Sequence, residues 1–310
     1  MRTGTSHSIR RWHGLCIESR DMNRIRLYLE LTKPRILVMV LVTTTLGFLL
    51  GGTSRDSVAL LFFTLLGVGS ATGGAAVLNN YLERDFDAKM VRTRNRALPA
   101  GLIEPVRALT FGVGLVLGGV LLLAVAVNLL AGFLVLLAAF LYVLVYTPLK
   151  RISWWNTTFG AIPGAIPPMA GWAAATGHVG PGAWALFAIL FAWQHPHFFA
   201  IAWIFRDDYR SAGFKMLPAI EPSGTRTVRL TIGFSLVLLA VSLVPTLIGM
   251  AGWLYFFGTF SLGLMMLVAA LGFARNRSTT NARCLLKASI LYLPLLLGFI
   301  LLDACFNWFV

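Results

Sequence analysis

LNNYLERDFDAK, Leu78–Lys89, closes a long apolar run and leads into a basic loop. At about 100° of rotation per residue, steps of four advance a helical position by only about 40°, so Asn79, Glu83 and Asp87 fall on one face over roughly 12 Å of rise. Asp85 points elsewhere. The chain has only 12 acidic residues, and three of them crowd into Glu83, Asp85 and Asp87. One amide and two carboxylates on a single face suit a hard divalent cation, and Mg²⁺ characteristically binds through one or two carboxylates plus the phosphates of a substrate. The next residues, MVRTRNRALPAG, supply Arg92, Arg94 and Arg96, and guanidinium groups are bidentate partners of phosphate. Acids, cation and arginines together describe half of a metal–diphosphate site. A plainer reading stays open here: the arginines mark membrane topology, and the acids are surface partners of little energetic value.

Outward from this motif the chain is apolar almost throughout. Of its 310 residues 57% are hydrophobic and 12% charged, well outside the range of a soluble domain. Runs long enough to span a bilayer, roughly 20 residues, recur at Ile36–Leu50, Ala59–Leu78, Ala108–Val127, Leu130–Tyr146, Thr158–Ala175, Ala183–Phe205, Thr231–Met250, Trp253–Ala274 and Leu285–Phe309. The fold class expected is all-α, a polytopic membrane protein of nine transmembrane helices. Residues 31–310 form one membrane domain behind a basic tail, 1–30. The tail lacks the apolar core of a secretory signal and reads as a cytoplasmic extension, with an organellar targeting segment as the alternative.

A formal charge of +14 invites a nucleic-acid reading, but its distribution argues against one. With loops numbered alternately inside and outside, all of the 26 basic residues except Arg55 fall on one side. The positive-inside rule then puts the N-terminus in the cytoplasm and the C-terminus outside. Cys16, Cys284 and Cys305 show neither metal-site spacing nor an even count, and carry no chemistry in this reading.

A second polar station closes the sixth run, in WQHPHFFAIAWIFRDDYRSAGFKML. Gln194, His197 and Asp208 share one helical stripe if the helix continues past Pro196, whose ring is able to kink it. Polar groups at membrane depth normally face a bundle interior or a wet cavity. For His195 and His197 the functional readings are acceptor contact or proton transfer, against a plain interhelical hydrogen bond. Tyr146 and Lys150, one turn apart in VYTPLKR, lie at the same cytoplasmic level as the first motif. Lys150 and Arg151 there either reach a phosphate or snorkel to the interface. The small residues and prolines of GAIPGAIPPMAGW predict a closely packed helix that leaves room for a bulky ligand.

Taken in order, LTKPRI, NNYLERDFDAKMVRTRNRALPAG, YTPLKR, GAIPPMAGW, WQHPHFFAIAWIFRDDYRSAGFKML and CLLKASILYLPLL resemble the intramembrane prenyltransferases of the UbiA type, and within them the heme-farnesylating branch. The resemblance implies nine helices around a central cavity capped on the cytoplasmic side. It implies farnesyl diphosphate and heme B as substrates and Mg²⁺ as cofactor, with Asn79, Glu83, Asp87 and Asp208 as catalytic metal ligands. Arg92, Arg96, Lys150 and Arg151 then bind diphosphate, and Gln194, His195, His197 and Tyr146 face the acceptor. The site would lie in a bacterial inner membrane, with a terminal oxidase or heme A synthase downstream. The chain departs from the superfamily pattern at RDDYRSAG, where Tyr209 stands near the place of a later aspartate. Rival readings are transfer to a quinone precursor or chlorin, and, from another class, a transporter using its intramembrane acids as an ion path.

Overall fold

Pro34, Pro105 and Pro181 each stand in the first turn of a membrane-length helix, where a missing N–H breaks no hydrogen bond. The computed structural model describes residues 24–52 and 57–308. Most of the basic tail, with Cys16 and Arg55, lies outside them. A short helix α1, residues 24–31, precedes α2 (Pro34–Gly51), α3 (Ser57–Asp87), α4 (Pro105–Ala126) and α5 (Leu129–Phe140). The chain continues through a π-helical segment, Leu141–Tyr146, into α6 (Thr147–Ile152) and α7 (Asn156–Thr176). Then follow α8 (Pro181–Ile204), α9 (Arg206–Ser211), α10 (Leu217–Ile220), α11 (Thr225–Ser242), α12 (Val244–Leu247), α13 (Trp253–Arg275) and α14 (Thr279–Trp308).

Eight spans are long and apolar enough to cross a membrane among the described residues, and they coincide with expected runs one to four and six to nine. The fifth expected run is α7. Its 21 residues carry no charge, but Gly, Pro and Thr dilute its hydropathy. It touches α2, α3, α5, α8 and the π segment, and most of its side chains are buried, so it presents little surface to lipid. Helices facing outward display apolar side chains instead, among them Val58, Leu121, Val125, Phe257 and Val268.

Small residues set the closest helix contacts, as packing in lipid requires. A Cβ on Gly74 of α3 would sit 2.6 Å from the Gly112 carbonyl of α4, so the two backbones meet only because neither carries a side chain there. Neighbours run α3–α4–α5–α7, with α7 against α2 and α8, and α8 against α11 and α14. Thus α7 and α8 divide the molecule. On the far side of α8, an apolar core of Tyr255, Met266, Phe273, Leu285, Tyr292 and Leu296 joins α11, α13 and α14.

Two irregularities place the functional groups. Pro148 has no N–H and its ring crowds the carbonyl four residues back, so the turns before it widen to the π form. Thr147 N–H and its hydroxyl both donate to the Tyr142 carbonyl, five residues back. The second break is at Phe205 (φ −108°, ψ 23°), where α8 ends. The helix does not continue to Asp208, and the expected stripe of Gln194, His197 and Asp208 is not formed. Pro196 is accommodated inside α8.

Candidate active site

Between α2, α3, α5 to α7 and α8 lies a cavity of about 390 Å³, lined along its depth by Val40, Val68, Ala75, Val135, Ala139 and Ile166. Among the described residues, nothing from α4 or from α11 to α14 lines it. Its polar end is lined by Glu83 and Asp87 of the first motif, whereas Asn79, one turn earlier on α3, is not among the lining residues. Asn79, Glu83 and Asp87 are 0%, 5% and 1% exposed, on the last turns of α3.

Each of the three meets one cation. Lys33 Nζ donates to Asn79 Oδ1 at 2.7 Å, Lys150 Nζ to Glu83 Oε1 at 2.7 Å, and Arg96 Nη1 to Asp87 Oδ2 at 2.7 Å. Asn79 Nδ2 in turn donates to the Thr147 hydroxyl at 2.9 Å. Asp87 Oδ1 is buried without a hydrogen-bond partner. Lys150 also lies 4.5 Å from the centre of the Tyr146 ring, and Tyr146 stacks on Tyr142 at 5.5 Å; both rings line the cavity. Arg92 joins the lining beside Tyr209, donating to its hydroxyl at 3.4 Å.

Lys33 was not singled out by its sequence, although it sits in LTKPRI. It is the one non-glycine described residue with positive φ (54°), held in the left-handed region just ahead of Pro34. The available signal was Lys-Pro at the mouth of a span: the residue before a proline is barred from ordinary helix geometry, and a lysine so placed turns inward or out to water. Burial pushes the Lys33 ammonium down to about 7, against the upward pull of Glu83. Tyr142 and Tyr209 were likewise missed as lining residues.

The second station is dispersed. Gln194 lines the cavity, its amide donating to the Ala161 carbonyl at 3.1 Å across to α7. A Cβ on Gly164 would collide with that amide, so the glycine is what admits it. His195 is buried behind the wall: it stacks on Phe234 at 3.5 Å, and its ring nitrogens meet the Phe191 carbonyl at 2.8 Å and the Thr158 hydroxyl at 3.3 Å. His197 faces α14, with Nδ1 2.8 Å from the Ser289 hydroxyl and its ring stacked on Trp193. Neither histidine lines the cavity. Arg151 donates to the Leu82 carbonyl and covers the Phe86 ring, bracing α3 rather than lining the chamber. Asp208 on α9 is half-buried and outside the lining, and no described group of three His, Cys, Asp or Glu is gathered tightly enough to hold a metal alone. The residue α9 contributes to the cavity is Tyr209.

A family model for the UbiA prenyltransferase family matches residues 40–308. Over 288 residues the chain is 43% identical to a protoheme IX farnesyltransferase of Solibacter usitatus, covering 90% of this chain and 99% of that one. It is 46% identical over 283 residues to one of Salinibacter ruber, covering 91% and 99%. Among solved structures, a digeranylgeranylglyceryl phosphate synthase superposes with a TM-score of 0.77 at 15% identity, covering 91% and 99%. A UbiA homologue of Archaeoglobus fulgidus bound to DMAPP and Mg²⁺ gives 0.64 at 18% identity, covering 88% and 98%. These two share the fold.

Proposed function

The chain belongs to the UbiA prenyltransferase family, and from that premise we propose that it farnesylates heme B, transferring the prenyl group of farnesyl diphosphate to a heme vinyl group with addition of water to give heme O. The relatives named as protoheme IX farnesyltransferases support the acceptor. The observation that carries the chemistry is the apolar chamber ending in two buried carboxylates, each held by a cation from another element.

The donor set fits Mg²⁺. Glu83, Asp87 and Asn79 are hard oxygen ligands, and Asp87 Oδ1 is a buried acceptor with no partner of its own. One or two carboxylates with substrate phosphates is the usual way this ion is held. Bound there, Mg²⁺ supplies positive charge to the departing diphosphate. Lys33, Lys150, Arg92 and Arg96 surround the same end and are placed to hold its oxygens. Asp208 stands apart from this set, and a direct role for it is not part of the proposal.

The allylic C–O bond breaks with its electron pair leaving on diphosphate. Tyr142 and Tyr146, which line the chamber near Lys150, offer aromatic groups that can stabilise the developing cation. The vinyl π pair then forms the new C–C bond, and water adds to the resulting cation with loss of a proton. Until that step the apolar lining keeps water from the allylic cation. At about 390 Å³ the cavity falls within the size range of small-molecule pockets, roughly 300–1,000 Å³, which suits a prenyl chain. Ile36, which lines it, is 57% exposed, and the wall is thus open at α2, where the edge of a membrane-dissolved heme could enter. The sorting of basic residues supports a mouth on the cytoplasmic side; we read the membrane as a bacterial inner membrane, from which heme O would pass to a terminal oxidase or to heme A synthase.

The test is purified protein in detergent with Mg²⁺, farnesyl diphosphate and heme B, products resolved by chromatography and mass spectrometry. Heme carrying one hydroxyethylfarnesyl group, lost with EDTA and restored by Mg²⁺, is the expected result. Unchanged heme with prenylation of a phenolic or quinone acceptor would keep the family and refute the acceptor.

A further inference from the structure

The cavity mouth shows a one-to-one arrangement. Each residue proposed to hold the divalent ion is engaged by a cation brought from elsewhere: Asn79 by Lys33 of the α1–α2 link, Glu83 by Lys150 of α6, Asp87 by Arg96 of the loop after α3. We propose that Lys150 and Arg96, with Lys33, are placeholders, so that the divalent cation enters only together with a diphosphate, which takes over the displaced ammonium and guanidinium groups. This rests on the prenyl-transfer reading above and specifies how its site loads.

The argument is one of charge in a poorly solvated place. Glu83 and Lys150 are 6% and 14% exposed at their side chains, and with Asp87 and Arg96 they form two neutral pairs. A divalent ion arriving alone would leave two uncompensated positive charges and strip two cations of their partners, and breaking a buried pair on one side is strongly unfavourable. A diphosphate monoester, whose terminal phosphate titrates near pH 6, brings about three negative charges. The carboxylates then turn to the metal while Lys150 and Arg96 turn to phosphate oxygens, and no buried charge is left alone. Asp87 Oδ1, already without a partner, is the atom at which the exchange can begin without first breaking a contact.

The experiment measures Mn²⁺ bound to detergent-solubilised protein by equilibrium dialysis, with and without inorganic pyrophosphate, in the native chain and in Lys150→Met and Arg96→Met. In the native protein pyrophosphate should tighten Mn²⁺ by a coupling factor of roughly 5- to 150-fold. Simple bridging of metal by phosphate would give that as well. The placeholder role predicts in addition that Lys150→Met and Arg96→Met bind Mn²⁺ alone more tightly than the native chain, by roughly tenfold, while losing most of the pyrophosphate effect. Unchanged or weaker binding of Mn²⁺ alone in folded variants overturns it. So does native protein that binds Mn²⁺ equally well with and without pyrophosphate, a result that leaves the prenyl-transfer reading standing. Native protein that binds neither Mn²⁺ nor pyrophosphate refutes that reading and this proposal together.

Discussion

At the C-terminal end of α3 the polar side chains line up on one face and are met by charges from three other elements; along the second half of α8 they scatter, one into the cavity and two into the packing behind it. The difference follows from continuity. The α3 helix runs unbroken to Asp87, so residues four apart keep one face. The α8 helix stops at Ile204, and the aspartates beyond Phe205 take a new direction. Under the proposed function the two regions also differ in kind: the carboxylates buried beside cations serve the chemistry, whereas each histidine hydrogen-bonded to a neighbouring helix serves packing.

That contrast is most exposed at Glu83. Glu83→Gln keeps the shape and removes the charge, and turnover of farnesyl diphosphate should fall by roughly 10²- to 10³-fold, the usual cost of one misplaced electrostatic group. Circular dichroism and detergent melting would check that the fold persists, and a loss under tenfold would put the motif outside the chemistry. Lys33→Met comes next. A hydrogen bond to a charged group contributes about 1.5–3 kcal/mol, so KM for farnesyl diphosphate should rise by at least about tenfold while KM for heme stays put; a change in heme KM alone would move Lys33 to the acceptor side.

For α8 the expected effects are smaller and of another sort. His195→Phe removes contacts to Thr158 and the Phe191 carbonyl; polar contacts between membrane helices average about 0.6 kcal/mol. Melting in detergent should drop by a few degrees, with heme KM within about threefold of native. A tenfold rise in heme KM at unchanged stability would instead make the α8 station part of the acceptor site and erase the contrast. The smallest effect is expected at Asp208→Asn, half-buried and outside the lining, and a substitution so placed stays within about 0.5 kcal/mol, roughly a factor of two in rate. A raised Mg²⁺ requirement in this variant would identify Asp208 as a metal ligand after all.

Much of this architecture was legible beforehand because hydropathy in lipid is a coarse and strong signal: runs of apolar residues and the sorting of Lys and Arg marked the spans. The α3 stripe was legible because it needs only the period of a regular helix. What escaped depends on irregular backbone or distant chain. Lys33 reaches Asn79 from 46 positions away out of a left-handed turn, and no periodicity foretells such a contact. Nor does a list of residues say that α8 ends at Phe205, which is why Gln194, His197 and Asp208 looked aligned. His195 and His197 drew notice because they are polar in an apolar helix, yet that property alone does not distinguish a ring facing a cavity from one facing Ser289 or Phe234.

The widened turn at Leu141–Tyr146 works as a vernier for the whole chamber. One residue more than an α-helix would use is absorbed there without breaking the span. Deleting a single residue in that stretch would close the turn to ordinary pitch and leave Lys150 facing Glu83, whereas the same deletion in a regular turn of the span would swing everything after it by about 100° and carry Lys150 off. The stretch can therefore lose one residue and still keep its cationic side chain aimed at the carboxylate it faces.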